Sequence, residues 1–250
     1  MLRLWPEQIT VGLFPGHCWL RRRAQVTPLD ISGEANAGVL AAALDTLLGQ
    51  APVRGARVDI IASDTVARIV GLAWQEQLRT EAERHAYALA AFTHAGLPLD
   101  EDWACTTAFR HYGELGLGIA CPAAWLAQLE FIARQHGCRL RTVLPVSAAA
   151  YWAPRRALGK GRAWIVTEEG GRAAALSFSS GRLAAYDAQP AGGDGRGLQR
   201  LLRRQALMAG TPELVVAWRV SGELDGAAIS AAAPEAALKP LPLHYWDVHA

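Results

Sequence analysis

Short apolar runs broken by glycine and proline alternate in this chain with segments whose apolar residues recur every three or four positions. Ile9 to Phe14, a Pro15-Gly16 step and a second run from His17 predict a β-hairpin. A loop with Pro28 and Gly33 is expected next, then a helix over about 35–49. There Leu40, Ala43, Leu44 and Leu47 share one face, and Gly49 and Pro52 end it. Val58 to Ala62 reads as a buried strand. Val66 to Leu72 is a second apolar run, set off by Ser63-Asp64 and closed by Trp74. Thr80-Glu81-Ala82-Glu83 fits a capping box, opening a helix with Ala86, Leu89 and Phe92 on one side that stops near Gly96. Strands are expected at Trp103 to Ala108 and Leu115 to Cys121. Pro122 then opens a helix striped by Trp125, Leu129, Ile132 and Ala133 and ended by Gly137. Arg139 to Val143 alternates as a strand, 146–157 reads as helix, and Lys160-Gly161 marks a lobe boundary.

Beyond that boundary, Ala163 to Thr167, Ala173 to Phe178 and Arg182 to Tyr186 predict a three-strand meander turned at Gly170-Gly171 and Ser180-Gly181. A helix with Leu198, Leu201, Leu202 and Met208 follows, then a strand from Leu214 to Trp218. The last 17 residues, with Pro234, Pro240 and Pro242, read as an irregular tail or a strap over the body. Both halves repeat glycine-turned antiparallel strands, a helix and another strand. The predicted class is therefore α/β: a duplicated ribonuclease-H-like, actin-type fold of mixed sheets with flanking helices.

Composition narrows the function classes. A 250-residue chain that is half hydrophobic can bury a sizeable core, and a formal net charge of +2 points to neither nucleic acid nor an acidic substrate. Lys160 and Lys239 are the only lysines, which fits a GC-rich coding sequence. Cys18, Cys105, Cys121 and Cys138 form no CxxC pair. His17-Cys18 and His136-Gly137-Cys138 are too sparse for a metal site, so buried free thiols are expected. The start Met-Leu-Arg-Leu-Trp lacks an apolar signal core, and no run of about 18 apolar residues occurs; a soluble, cytoplasmic protein is expected. No Gly-x-Ser-x-Gly presents Ser63, Ser147 or Ser177 as a nucleophile. Glu81/Glu83 and Asp100/Glu101/Asp102 read as a helix start and an acidic loop. Arg21-Arg22-Arg23 and Arg203-Arg204 are either solvated faces or small anion-binding patches. Of the nine tryptophans, Trp74, Trp125, Trp152 and Trp164 are expected in the core, whereas Trp5 and Trp246 are candidate partner anchors.

A family resemblance rests on collinear segments covering about residues 3–220. Val58 to Trp74, the acidic helix Glu76 to Phe92, the strand and helix of Leu115-Gly-Leu-Gly-Ile-Ala-Cys-Pro-Ala-Ala-Trp-Leu, and Gly137 to Ala150 resemble the actin-like pilus-assembly protein PilM. They equally resemble the cytoplasmic domain of the type II secretion protein GspL. The resemblance implies an N-terminal lobe over 1–158 with a small inserted subdomain at about 66–114, a reduced second lobe over 162–220, and an irregular tail over 221–250. It also implies two phosphate loops, with Gly16 and His17 in the first and Glu168, Glu169, Gly170 and Gly171 in the second. In actin-like ATPases an acid ends the first strand and positions the metal. Here Leu13, Phe14 and Pro15 stand there, and no acid occurs between Glu7 and Asp30. Glu168 or Glu169 replaces an aspartate at the second loop, with one methylene too many for a tight magnesium site. Ser221-Gly222 is a poor match to the adenosine loop; Gly192-Gly193-Asp194-Gly195 is a better glycine cluster but sits before the helix at 198–209 and resembles the family's lobe-closing loop more than a P-loop. The chain is thus expected to be a non-catalytic, cytoplasmic scaffold of a type IV pilus or type II secretion inner-membrane platform, with no catalytic residue, metal or cofactor. It would bind the cytoplasmic part of a membrane partner and possibly the assembly ATPase, meet the membrane only through that partner, and possibly form a homodimer. The implied partner groove lies between the large lobe and the inserted subdomain, near Arg68, Leu72, Trp74, Glu81, Leu89 and Phe92. Two alternatives stay open: a small ATP-binding or ATP-hydrolysing enzyme of the actin and sugar-kinase superfamily, using magnesium at Glu168 or Glu169, and a free-standing dimeric regulator.

Overall fold

The computed structural model describes residues 6–32, 36–51, 53–153, 158–191, 196–220 and 225–245. The hairpin is β1 (Gln8–Phe14) and β2 (His17–Arg22), joined at Gly16, whose φ of +79° is left-handed. The expected loop after it is instead a strand, β3 (Gln25–Asp30), with Pro28 opposite Trp19. Proline lacks a ladder donor, and β3 is an edge strand, where that donor is dispensable. Helix α1 (Ala37–Gly49) is capped by Asn36, whose side chain accepts from the Val39 N–H at 3.0 Å. Strand β4 (Arg57–Ala62) runs parallel to β1. Helix α3 (Ala123–Gln135) leads to β8 (Arg139–Pro145), parallel to β4, which completes the sheet order β3-β2-β1-β4-β8.

The second lobe repeats this plan. Strands β9 (Arg162–Glu169), β10 (Arg172–Ser179) and β11 (Arg182–Pro190) form the meander. Helix α5 (Arg196–Ala209) leads to β12 (Leu214–Arg219), parallel to β9. Helix α6 (Gly226–Ala232) then leads to β13 (Ala237–Pro240), parallel to β12. The order β11-β10-β9-β12-β13 matches the first sheet strand for strand, which is the predicted duplicated ribonuclease-H-like architecture. Here the expectation of an irregular tail from 221 gives way. The alanine-rich stretch 226–232 is helical, capped by Asp225, and 237–240 supplies the fifth strand. Only 241–245 behaves as a strap. It returns to the first lobe: the Trp218 indole N–H donates to the Leu243 carbonyl at 3.0 Å, and Arg21 donates to the His244 carbonyl at 2.6 Å. The His244 ring stands edge-on to Trp19. Gly12 makes room for that indole, because a Cβ there would lie 2.2 Å from it.

The inserted subdomain lies between β4 and α3. After a short 3-10 turn (Asp64–Val66), strand β5 (Arg68–Leu72), helix α2 (Glu81–His94) and strands β6 (Trp103–Ala108) and β7 (Gly116–Pro122) build a sheet ordered β5-β7-β6. Its last strand carries it past the expected boundary near 114, because β7 pairs with both of its other strands. The capping box at Thr80 and Glu83 forms as predicted. Trp125 and Trp164 are buried, whereas Trp152 is 44% exposed, since α4 (Val146–Tyr151) ends just before it. Trp5, Gly33, Gly192 to Gly195, Ser221, Gly222 and Trp246 lie outside the described residues.

Candidate functional site

Duplication brings the two glycine turns, β1–β2 and β9–β10, tip to tip between the lobes. A Cβ placed on Gly170 would meet the Pro15 Cβ at 3.4 Å, so the tips are in contact. Behind them Leu13 and Phe14 are fully buried, and the Phe14 ring tilts against Trp218 of β12 with centroids 5.0 Å apart. Of the predicted phosphate-loop residues, Gly16, Gly170 and Gly171 sit in these turns, with φ of +79° at Gly16 and +88° at Gly171. His17 is turned outward, its Nδ1 2.7 Å from the Asp30 carboxylate. Strand alternation sends Glu168 and Glu169 to opposite faces, and both are buried. Glu168 lies 3.5 Å from Arg219.

Glu169 enters a polar seam that the sequence reading passed over. Its Oε1 accepts from the Asp64 N–H at 2.9 Å. Asp64, which ends β4's passage through the first sheet, is itself 1% exposed. Its carboxylate accepts from the Ser147 N–H at 3.1 Å and from the Ser147 hydroxyl, at the start of α4. Burial, reinforced by the Asp64 charge, pushes the Glu169 carboxyl up to about 8; hydrogen bonds from Ser63 and Asp64 and the charge of Arg172 oppose this only in part. Burial also raises Asp64, countered by Ser147 and Arg172. Tyr186 of β11 is raised by burial and by Asp64. At neutral pH Glu169 is therefore a neutral acid beside a hydrogen-bonded aspartate. Two buried carboxyls seldom share a site with both charges in place. Ser63-Asp64 was legible only as a break between strands, because its partners are 83 and 105 residues away.

A second feature is open rather than filled. A cavity of about 720 Å³ lies between the inserted subdomain and the second lobe. Its walls are β5 (Ile69, Gly71), α2 (Tyr87, Ala91) and β11 (Tyr186, Asp187). Strands β5 and β11 are each the terminal strand of their sheet, so the groove runs between two sheet edges. At Gly71 the two walls come close, since a Cβ there would lie in van der Waals contact with the Tyr186 Cβ at 4.0 Å. The predicted partner residues lie on the same β5 and α2 but mostly turn the other way. Leu72 and Phe92 are fully buried in the subdomain's own core. Trp74 packs edge-on to Phe109 and tilted against Tyr112. Arg68 stacks 4.1 Å over Trp103 and donates to the Pro98 carbonyl. Glu81 is exposed in the first turn of α2, and Leu89 is half-buried. None of the six lines the groove.

No protein-family model matches the chain, and no curated protein matches it. Solved structures do. A Bacteroides thetaiotaomicron protein of unknown function with an actin-like ATPase fold aligns with a TM-score of 0.63 at 10% identity, covering 94% of this chain and 90% of that one. The PilM–PilN type IV pilus biogenesis complex aligns with a TM-score of 0.68 at 12% identity, covering 94% and 88%. The cytoplasmic domain of EpsL, an inner-membrane component of the Vibrio cholerae type II secretion system, aligns with a TM-score of 0.56 at 12% identity, covering 88% and 84%.

This chain has the actin-like fold.

In an actin-like frame the two glycine turns are where nucleotide phosphates and magnesium would be held, and the residues here do not fit that group. Phe14 and Pro15, not an acid, end the first strand, Gly170 lies against Pro15, and the buried Glu169 carboxyl is committed to the Asp64 N–H. Nor are the thiols poised to hold a metal: burial raises Cys18 to about 11 and Cys121 to about 12. All four cysteines are free; Cys105 is half-buried and the other three are buried. Arg21, Arg22 and Arg23 are engaged within the fold, Arg22 and Arg23 with Glu7 at 2.7 and 3.3 Å. Among the described residues no helix is long and apolar enough to cross a membrane.

Proposed function

We propose that this actin-like protein is a non-catalytic scaffold of a type IV pilus or type II secretion inner-membrane platform, working at the cytoplasmic face. It would hold the cytoplasmic segment of a membrane-embedded partner in the groove between β5, α2 and β11. The observation that carries this reading is the open groove between the inserted subdomain and β11, set beside a first glycine turn whose strand ends in Phe14 and Pro15 rather than in an acid. An open groove walled by Ile69, Tyr87 and Ala91 suits a peptide segment that inserts apolar side chains into it. The similarity to PilM, solved with PilN, and to the cytoplasmic part of EpsL supports the same assignment. Contact with the assembly ATPase and self-association into a dimer belong to the proposal as further contacts of the scaffold.

Native co-purification from the source bacterium tests it. The expected result is recovery of a membrane protein of a pilus or secretion platform. Gly71→Trp, which fills the groove from β5, should abolish that recovery, as should Ala91→Arg from the α2 wall. Recovery that is equal with both groove variants, or that contains no platform protein, would refute the reading.

A further inference from the structure

Helix α5 carries a surface that neither the cleft nor the groove uses. Gly197, Leu198, Leu201, Leu202 and Gln205 face inward and are buried. The outward face holds Arg196, Arg200, Arg203, Arg204 and Leu207, and the helix contains no acidic residue. At 3.6 residues per turn, Arg196, Arg200, Arg203 and Leu207 fall within about 60° of arc, in a row roughly 17 Å long. Leu207 is 88% exposed at the end of that row, with Met208 beside it at 57%. Arg204 marks one border, 2.8 Å from Asp187 on β11. The other border is α6, whose sequence Gly-Ala-Ala-Ile-Ser-Ala-Ala has no charged side chain. The face is convex, cationic along its length and apolar at one end.

We propose that this face of α5 docks on an anionic lipid surface. Guanidinium groups spaced along an exposed helix match the phosphates of an acidic leaflet, and two exposed apolar side chains in the last turn match the boundary where headgroups give way to acyl chains. An acidic protein partner would answer the arginines but supplies no reason for a leucine exposed at the end of their row. The contact is a second, weaker hold on the membrane, stacked on one face of the second lobe, and it stands whether or not the groove holds a peptide.

Co-sedimentation of the full chain with vesicles made of equal parts phosphatidylglycerol and phosphatidylcholine, against vesicles of pure phosphatidylcholine, tests this. Each arginine near an acidic leaflet changes partitioning roughly fivefold, so the double variant Arg200→Glu/Arg203→Glu should bind the anionic vesicles at least about twentyfold more weakly. Leu207→Ser should lower binding about tenfold without changing its salt dependence. Both sites are exposed, so an unchanged melting temperature certifies that the variants are folded. Equal binding to neutral vesicles, no binding to anionic vesicles at low salt, or equal binding by the wild type and the double variant would overturn the proposal. So would wild-type protein that ignores vesicles but binds polyglutamate through Arg200 and Arg203, which would make the face a protein-docking site.

Discussion

Replacing Glu169 by glutamine should make the protein more stable at pH 8 while leaving it almost unchanged at pH 5. In the folded state the Glu169 carboxyl titrates at about 8, against an ordinary value of 4.5. A raised folded pKa means that the native state keeps a proton the unfolded chain releases. The associated stability is complete below pH 4.5 and is lost as pH climbs towards 8. A shift of that size corresponds to roughly 5 kcal/mol at its limit. Mutual adjustment with Asp64 and water entry at the seam trim this to about 3 kcal/mol at pH 8. Glutamine cannot ionise, and its amide oxygen can still accept from the Asp64 N–H that Glu169 serves. Urea unfolding of both proteins from pH 5 to pH 9 isolates the Glu169–Asp64 pair, because every titration outside the pair is common to the two curves. The stability gap should open steadily from about pH 5 and level off above pH 8. Expressed as melting temperature, 3 kcal/mol is roughly 6–12 °C for a chain of this size. Parallel curves across the range, or a variant that is less stable at pH 8, would refute the reasoning, since either would mean that Glu169 is ionised and satisfied in the folded protein.

Three other expectations concern the same lobes. Phe14→Ala removes a fully buried ring from between β1 and Trp218 and should cost about 3–5 kcal/mol in chemical denaturation, with a change in tryptophan fluorescence as Trp218 loses its neighbour. Asp59→Ala strips the partner from Arg141, which donates its Nε to Asp59 at 2.7 Å and its Nη2 to the other carboxylate oxygen. Because Arg141 is 27% exposed, the loss should be about 2–3 kcal/mol in the same assay, below the value for a wholly buried pair. Millimolar Mg-ATP should leave thermal unfolding unchanged; a ligand present at a hundred times its dissociation constant would add about 2.7 kcal/mol and be plainly visible.

Elements whose signal is local were legible in the sequence. The capping box at Thr80 and Glu83, the helix stripe of Trp125, Leu129 and Ile132, and the glycine-turned meander all appear where their residues predict them. Strand β3 was missed because Pro28 reads as a breaker, and only the edge position of β3, a property of the assembled sheet, makes that proline harmless. The last strand was missed for a related reason. Ala237–Pro240 is four residues long, exposed and proline-ended, and it is a strand because β12 offers a parallel neighbour. The missing acid was legible, since Leu13 and Phe14 stand at the end of the first strand. The polar seam was not: Asp64, Ser147, the cross-strand pair Glu169 and Arg172, and Tyr186 come from four separate stretches, and no local pattern brings the four together. The open groove was not legible as such: the resemblance pointed to a groove between the large lobe and the inserted subdomain, whereas the cavity lies between that subdomain and β11 of the second lobe, with Ile69 and Tyr87 on its walls and Leu72 and Phe92 in the subdomain's core.

The two lobes are joined by the chain's own groups: Phe14 against Trp218, Pro15 against Gly170, the Asp64 N–H donating to Glu169, and the strap from Trp218 to Arg21. The Asp64–Ser147 bonds brace this joint from within the first lobe. Because these contacts are made by protein groups alone, they hold β11 against the inserted subdomain without a ligand. That position sets the width of the groove between β5 and β11. A scaffold gains from such independence, because its partner site stays formed at all times. A nucleotide-driven switch would have to break these contacts in every cycle, including a buried carboxyl pair whose ionisation is opposed by its surroundings.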